Sequence, residues 1–147
     1  MLDKFLPYRL SITTNLVSDA IAGTYDRLFG LTIAQWRLIA VLAENDGLTQ
    51  QAIGVRTRMD KVTVSRAAIA LAARGLIRRM PNDHDRRSLL LLLTADGRAL
   101  YAEVAPKALE LEARIFGRFG QAELAQFTAM LRRIEEAALA AGETCER

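Results

Sequence analysis

A chain of 147 residues is long enough for one domain with a true hydrophobic core. Apolar residues make up 51% and charged residues 25%, which excludes a disordered chain. Apolar runs such as the five leucines Leu89–Leu93 are all far shorter than the roughly 20 residues of a membrane span. The start, Met-Leu-Asp-Lys-Phe, lacks the apolar stretch of a secretory leader. No membrane partner is expected, and a cytoplasmic location is. The single cysteine, Cys145, excludes a disulfide framework. With one histidine, His84, it supplies too little for a thiolate metal site or a His-based triad. No catalytic residue, metal or cofactor is expected.

Net charge is +3, from 20 basic and 17 acidic residues, but its distribution is uneven. Between Gly54 and Ser88, nine cationic residues against three carboxylates give +6, so the remainder carries −3. Arginine outnumbers lysine 17 to 3. An Arg-rich middle on a slightly acidic chain suits a polyanion, and equally a solvated basic face with no partner.

In chain order, residues 10–28 form the first expected helix. Leu10, Thr14, Val17, Ile21, Thr24 and Leu28 recur at spacings of three and four. Pro7 suits its start and Gly30 its end. Thr32 is an N-cap for a helix over 33–44, with Trp36, Ile39, Ala40 and Ala43 along one side. Asn45-Asp46-Gly47 stops it. Thr49 caps a short helix over 50–56, a break follows at Thr57-Arg58-Met59, and Asp60 caps a helix over 61–74 that ends at Gly75. Val64, Ala68, Leu71 and Ala72 form the inner face of this last helix. Lys61, Thr63, Ser65 and Arg66 lie off that face, near its N-terminal end.

Residues 76–80 and 88–93 suit two strands of a hairpin, with a polar turn over 81–87 and a basic tip. The leucine run is also compatible with helix, and the flanking turn residues favour strand. Thr94 opens a long helix to Phe116, with a bend expected near Pro106. Residues 121–141 form the last helix, in which Leu124, Phe127, Leu131 and Ile134 repeat. Residues 142–147 are expected to fray.

Several phrases resemble the MarR family of bacterial transcription regulators. They are Leu31-Thr32-Ile33-Ala34-Gln35-Trp36-Arg37, Asp60-Lys61-Val62-Thr63-Val64-Ser65-Arg66, Gly75-Leu76-Ile77, Asp85-Arg86-Arg87-Ser88 and Leu93-Thr94-Ala95-Asp96-Gly97. Their order and spacing together are specific, and the resemblance runs from Phe5 to Ala141. It implies a mainly α fold with a small β-hairpin wing. Residues 1–147 would form a single domain, with a winged helix-turn-helix DNA-binding lobe over 31–93 and dimerisation helices over 1–30 and 94–141. It further implies a homodimer on a palindromic double-stranded DNA operator, probed by a recognition helix in the major groove and a wing in the minor groove. The expected function is that of a repressor responsive to a small-molecule effector.

On that resemblance, Thr63 and Arg66 fall where bases or nearby phosphates are read, and Arg87, with Arg86 beside it, at the wing tip. Asp85 would orient the arginine. Arg66 has the fork for guanine O6 and N7. Lys61, Ser65 and Arg58 join the set as further contacts, Lys61 and Arg58 as phosphate candidates. An effector crevice would draw on Tyr8, Arg9, Ser11 and Trp36, Arg9 being suited to a carboxylate. His84 fits a solvent-exposed turn. Members of the family that sense peroxides carry their cysteine in the first helix, where this chain has none, so Cys145 reads as incidental. The competing reading is a helical protein-interaction module, basic in its middle for solubility only.

Overall fold

The structure is a computed structural model that describes residues 1–145. After a single 3-10 turn at Leu2–Lys4 come α1 (Leu6–Phe29), α2 (Ile33–Ala43), α3 (Gln50–Thr57) and α4 (Lys61–Ala73). The strands β1 (Ile77–Pro81) and β2 (Leu89–Leu93) follow, then α5 (Ala95–Phe116) and α6 (Gln121–Cys145). The chain divides into a first compact unit, Met1–Ala108, and a second that begins at Leu109.

The helix starts obey local chemistry. Thr32 opens α2 with a reciprocal cap: the Gln35 N–H donates to Thr32 Oγ1 at 3.1 Å and the Thr32 N–H to Gln35 Oε1 at 3.2 Å. The Ala52 N–H donates to Thr49 Oγ1 at 3.1 Å and starts α3. Thr94 acts twice. Its Oγ1 accepts from the Gly97 N–H at 3.0 Å, and its hydroxyl donates to the Gly75 carbonyl at 2.6 Å, fixing the start of α5 to the end of α4. Gly97 itself is packed so close that a Cβ there would strike the Leu76 carbonyl oxygen.

The leucine run resolves as strand. β1 and β2 pair antiparallel, Ile77 opposite Leu93 and Pro81 opposite Leu89. Leu91 and Leu93 are buried and Leu90 and Leu92 half-buried, as a two-residue period requires, while Leu89, on the face of Leu91, is exposed where the strand runs into the wing. Leu48 extends the sheet through two bonds with Leu91, at 2.8 and 3.2 Å. The first unit's core gathers Leu31, Leu38, Ile39, Leu42, Ile53, Val64, Leu71, Leu91 and Val104, all fully buried.

Three expectations need correction. α1 begins at Leu6, one turn earlier than its apolar spacing suggests, with Pro7 inside its first turn; its buried residue is Tyr25. Of the expected Trp36-Ile39-Ala40-Ala43 face of α2 only Ile39 is fully buried, joined by Leu38 and Leu42, because α1, α3, α4 and β2 all pack on it. The tail is helical through Cys145: the alanines before Gly142 are strong helix formers and carry the helix across it. Glu146 and Arg147, the remainder of the expected frayed tail, lie outside the described residues.

Candidate nucleic-acid interface

The α3–turn–α4 segment is held by short-range bonds. The Thr57 hydroxyl donates to the Ile53 carbonyl at 2.7 Å, and the Met59 N–H reaches Thr57 Oγ1 at 3.4 Å. Between them Arg58 adopts a left-handed conformation, φ 58°, and it is the one non-glycine residue with positive φ among the described residues. An arginine there is strained by roughly 1–2 kcal/mol relative to glycine. Its side chain is exposed at the mouth of an open groove of about 630 Å³, also lined by Gln51, Val55, Lys61 and Val64.

Asp60 caps α4: its Oδ1 accepts from the Thr63 N–H at 2.7 Å. That bond chiefly holds the Asp60 carboxyl below its ordinary pKa range; the Thr63 hydroxyl, the Val62 N–H and the nearby charge of Arg66 assist. Thr63 is therefore half-buried and committed to the cap, which leaves its hydroxyl as an acceptor for anything outside. Val64, Ala67, Ala68 and Leu71 bury the inner face. Full burial of a residue such as Leu71 contributes about 1.5–3 kcal/mol and fixes the roll of the helix. The outer face then carries Lys61, Val62, Arg66 and Ile69, all exposed, with Ser65 half-buried at its edge.

The turn over 82–88 is a chain of side-chain-to-backbone bonds. Asn82 Oδ1 accepts from the His84 N–H at 3.1 Å, and Asp85 Oδ1 from the Arg87 N–H at 3.0 Å. Asn82 Nδ2 donates to Ser88 Oγ at 3.1 Å across the turn. Asp85 thus orders the tip through the Arg87 backbone, and the Arg86 and Arg87 side chains stand exposed, as does His84. Between the wing and α3 lies a second groove of about 380 Å³, bounded by Thr49, Gln50, Arg79 and Arg87.

Two cations of the segment are bonded within the chain. Arg74 donates to the carbonyls of Gly30 at 3.1 Å and Phe29 at 3.2 Å, clamping the end of α1. Arg56 donates to Asn45 Oδ1 at 3.0 Å, and Asn45 Nδ2 to the Val41 carbonyl at 2.7 Å, joining α3 to the end of α2. The cations left exposed on this side are Arg58, Lys61, Arg66, Arg79, Arg86 and Arg87, while Arg78, also exposed, lies on the opposite face of β1 from Arg79. Arg79 was missed in the sequence. The strand alternation that puts it on the Ile77 side was visible, but its approach to α3 was not.

The residues expected around an effector do not converge within one chain. Tyr8, Arg9 and Ser11 are exposed on the first turns of α1. Trp36 is half-buried, stacked on Tyr101 at 5.6 Å between centroids and 15° between planes, and tilted against Tyr25 at 5.8 Å. Along α1, Tyr8 and Ser11 precede Tyr25 by about 25 and 21 Å at 1.5 Å per residue. Burial pushes the Tyr25 phenol above its ordinary range. Tyr25 and Tyr101 carried no sequence signal for this cluster, which joins three helices far apart in the chain. Among the described residues there is no group of three His, Cys, Asp or Glu able to hold a metal ion. Nor, among those residues, is any helix long and apolar enough to cross a membrane.

A helix-turn-helix whose outer face is cationic, next to an arginine-tipped hairpin, defines the winged helix-turn-helix class. Residues 29–88 match the family model described as MarR family. The chain is 31% identical over 111 residues to the HTH-type transcriptional regulator FarR of Neisseria gonorrhoeae, covering 73% of this chain and 75% of FarR. The structure superposes with a TM-score of 0.87 on a MarR/EmrR family transcriptional regulator from Acinetobacter sp. ADP1, at 25% identity over 94% of this chain and 97% of that one. It superposes with a TM-score of 0.80 on BpsR of Bordetella bronchiseptica, whose DNA binding is regulated by 6-hydroxynicotinic acid, at 27% identity over 88% of this chain and 91% of BpsR. The chain belongs to the MarR family of transcriptional regulators.

Proposed function

We propose that this chain is a sequence-specific regulator that represses transcription as a homodimer on a palindromic operator in the cytoplasm and is released by a small aromatic or phenolic effector. One observation carries the reading: Arg66 is exposed on the outer face of a capped helix, with Lys61 and Arg58 at the same end and the wing arginines beyond. Arg66 would read a base edge in the major groove, with Ser65 and Thr63 at its margin. Lys61 and Arg58 would meet phosphates, and Arg86 and Arg87 a narrow minor groove. No chemistry is needed, only an effector affinity that differs between the DNA-competent and DNA-incompetent states.

A second copy is supported by apolar side chains left in solvent. On α6, Phe127, Met130 and Ile134 are exposed at spacings of three and four. On α1, Leu6, Leu10 and Leu16 are exposed too. The effector class is supported by BpsR and its hydroxylated aromatic acid. In this chain the Trp36–Tyr101 pair offers aromatic surface. Tyr8, Ser11 and Arg9, the last for a carboxylate, would complete a crevice once a second copy brings its own α1 alongside.

The decisive test is discrimination. Arg66→Ala is expected to bind a palindromic promoter fragment and a scrambled duplex almost equally, while wild type prefers the palindrome and loses affinity steeply with salt. Wild-type discrimination retained by Arg66→Ala would refute the assignment of α4 as the reading helix. Affinity of wild type for neither duplex at low salt, with a stable dimer in sedimentation, would refute DNA binding altogether.

A further inference from the structure

We propose that Val62 is a specificity-determining residue that packs on the 5-methyl group of a thymine, within about two base pairs of the base read by Arg66. The inference rests on the DNA-binding function proposed above and names a base that the site selects. Val62 occupies the second position of α4 and is 58% exposed. It precedes Arg66 by four residues, so the two side chains share one face, about 6 Å apart along the axis.

The surroundings decide what can cover it. Lys61 adjoins it, and Arg58 and Lys61 stand at the nearby groove. The one carboxylate at this end, Asp60, is turned onto the N–H groups of the helix. A protein partner for an apolar patch would meet the cations Arg58 and Lys61 beside two small valines, Val62 and Val55 on the groove wall. A duplex meets the cations with phosphates, and thymine alone among the four bases presents an apolar group in the major groove. Valine also gains nothing as a helix former, being weaker than the polar residues that suit an exposed position. The other exposed aliphatic of this face, Ile69, lies seven residues further along, away from the tip of the helix.

The experiment selects binding sites for wild type, Val62→Ala and Ile69→Ala from randomised duplex DNA long enough to hold two half-sites. The selected wild-type duplex is then remade with deoxyuridine for individual thymines, which removes only the methyl. The wild-type motif is expected to hold a thymine whose replacement by deoxyuridine weakens binding about fourfold, the value of one buried methyl. Val62→Ala is expected to lose the preference at that position alone and to become indifferent to deoxyuridine there; Ile69→Ala keeps both. Thermal unfolding of Val62→Ala should match or exceed wild type, since alanine favours the helix. If Val62→Ala selects the same thymine, or if deoxyuridine is neutral at every position, the role of Val62 is overturned while DNA binding stands. If wild type enriches no motif, the proposed function falls and this inference with it.

Discussion

Arg74 gives the sharpest test of how the structure distributes its cations. By sequence it is one of the nine cations between Gly54 and Ser88, yet it holds the carbonyls of Phe29 and Gly30 at the end of α1. Those carbonyls belong to a helix terminus that carries partial negative charge, and Gly30 closes it in the left-handed conformation, φ 61°. The side chain is exposed, so each bond competes with water and is worth the lower part of the usual range, about 0.5–1 kcal/mol. Two such bonds give about 1–2 kcal/mol, or roughly 3–6 °C in the melting midpoint of a chain this size. Arg74→Met keeps the apolar stem and deletes the fork, so it should melt lower by that amount at equal protein concentration. Arg74→Lys restores charge near the helix end without two directed donors, and should recover about half. The charge-based part should shrink at high salt. A midpoint for Arg74→Met equal to wild type, measured by circular dichroism, would refute the clamp.

Three further outcomes follow from the same geometry. Arg58→Gly relieves the left-handed strain and is expected to raise stability by about 1 kcal/mol while weakening DNA binding, seen by pairing denaturant unfolding with fluorescence anisotropy; equal affinity would remove Arg58 from the interface. Gly97→Ala drives a methyl into the Leu76 carbonyl oxygen and should cost about 3 kcal/mol or more, with a matching fall in the denaturation midpoint; near-wild-type unfolding would show that the start of α5 and the Leu76 backbone separate freely. Asp60 is held below its ordinary value of 3.8, so its capping contribution is complete above that pH and is lost as pH falls through the lower folded value. Asp60→Asn, a cap that does not titrate, should show a shallower acid limb in melting temperature against pH; an unchanged limb would mean that the cap adds nothing there.

The order of elements was legible in the sequence because its punctuation is local. Thr32, Thr49, Asp60 and Thr94 each bond an N–H three residues ahead, so a cap is visible in a window of four residues. Gly30 and Gly75 end their helices with positive φ for reasons equally local. The phrase from Asp60 to Arg66 therefore placed both α4 and its exposed tip, and the turn residues around the leucine run decided strand over helix.

What the sequence did not decide was which side of each element meets which neighbour. The burial of Leu38 and Leu42, the Trp36–Tyr101 stack and the clamp made by Arg74 depend on partners tens of residues away. Nothing in a single chain's pattern separates an arginine that clamps a helix end from one that awaits a phosphate; both need the same long, charged side chain. Residue type and spacing set the helices, their caps and the cationic segment. Only packing, by fixing the roll of each helix against the others, divided those cations between ones bonded within the chain and ones left to a partner.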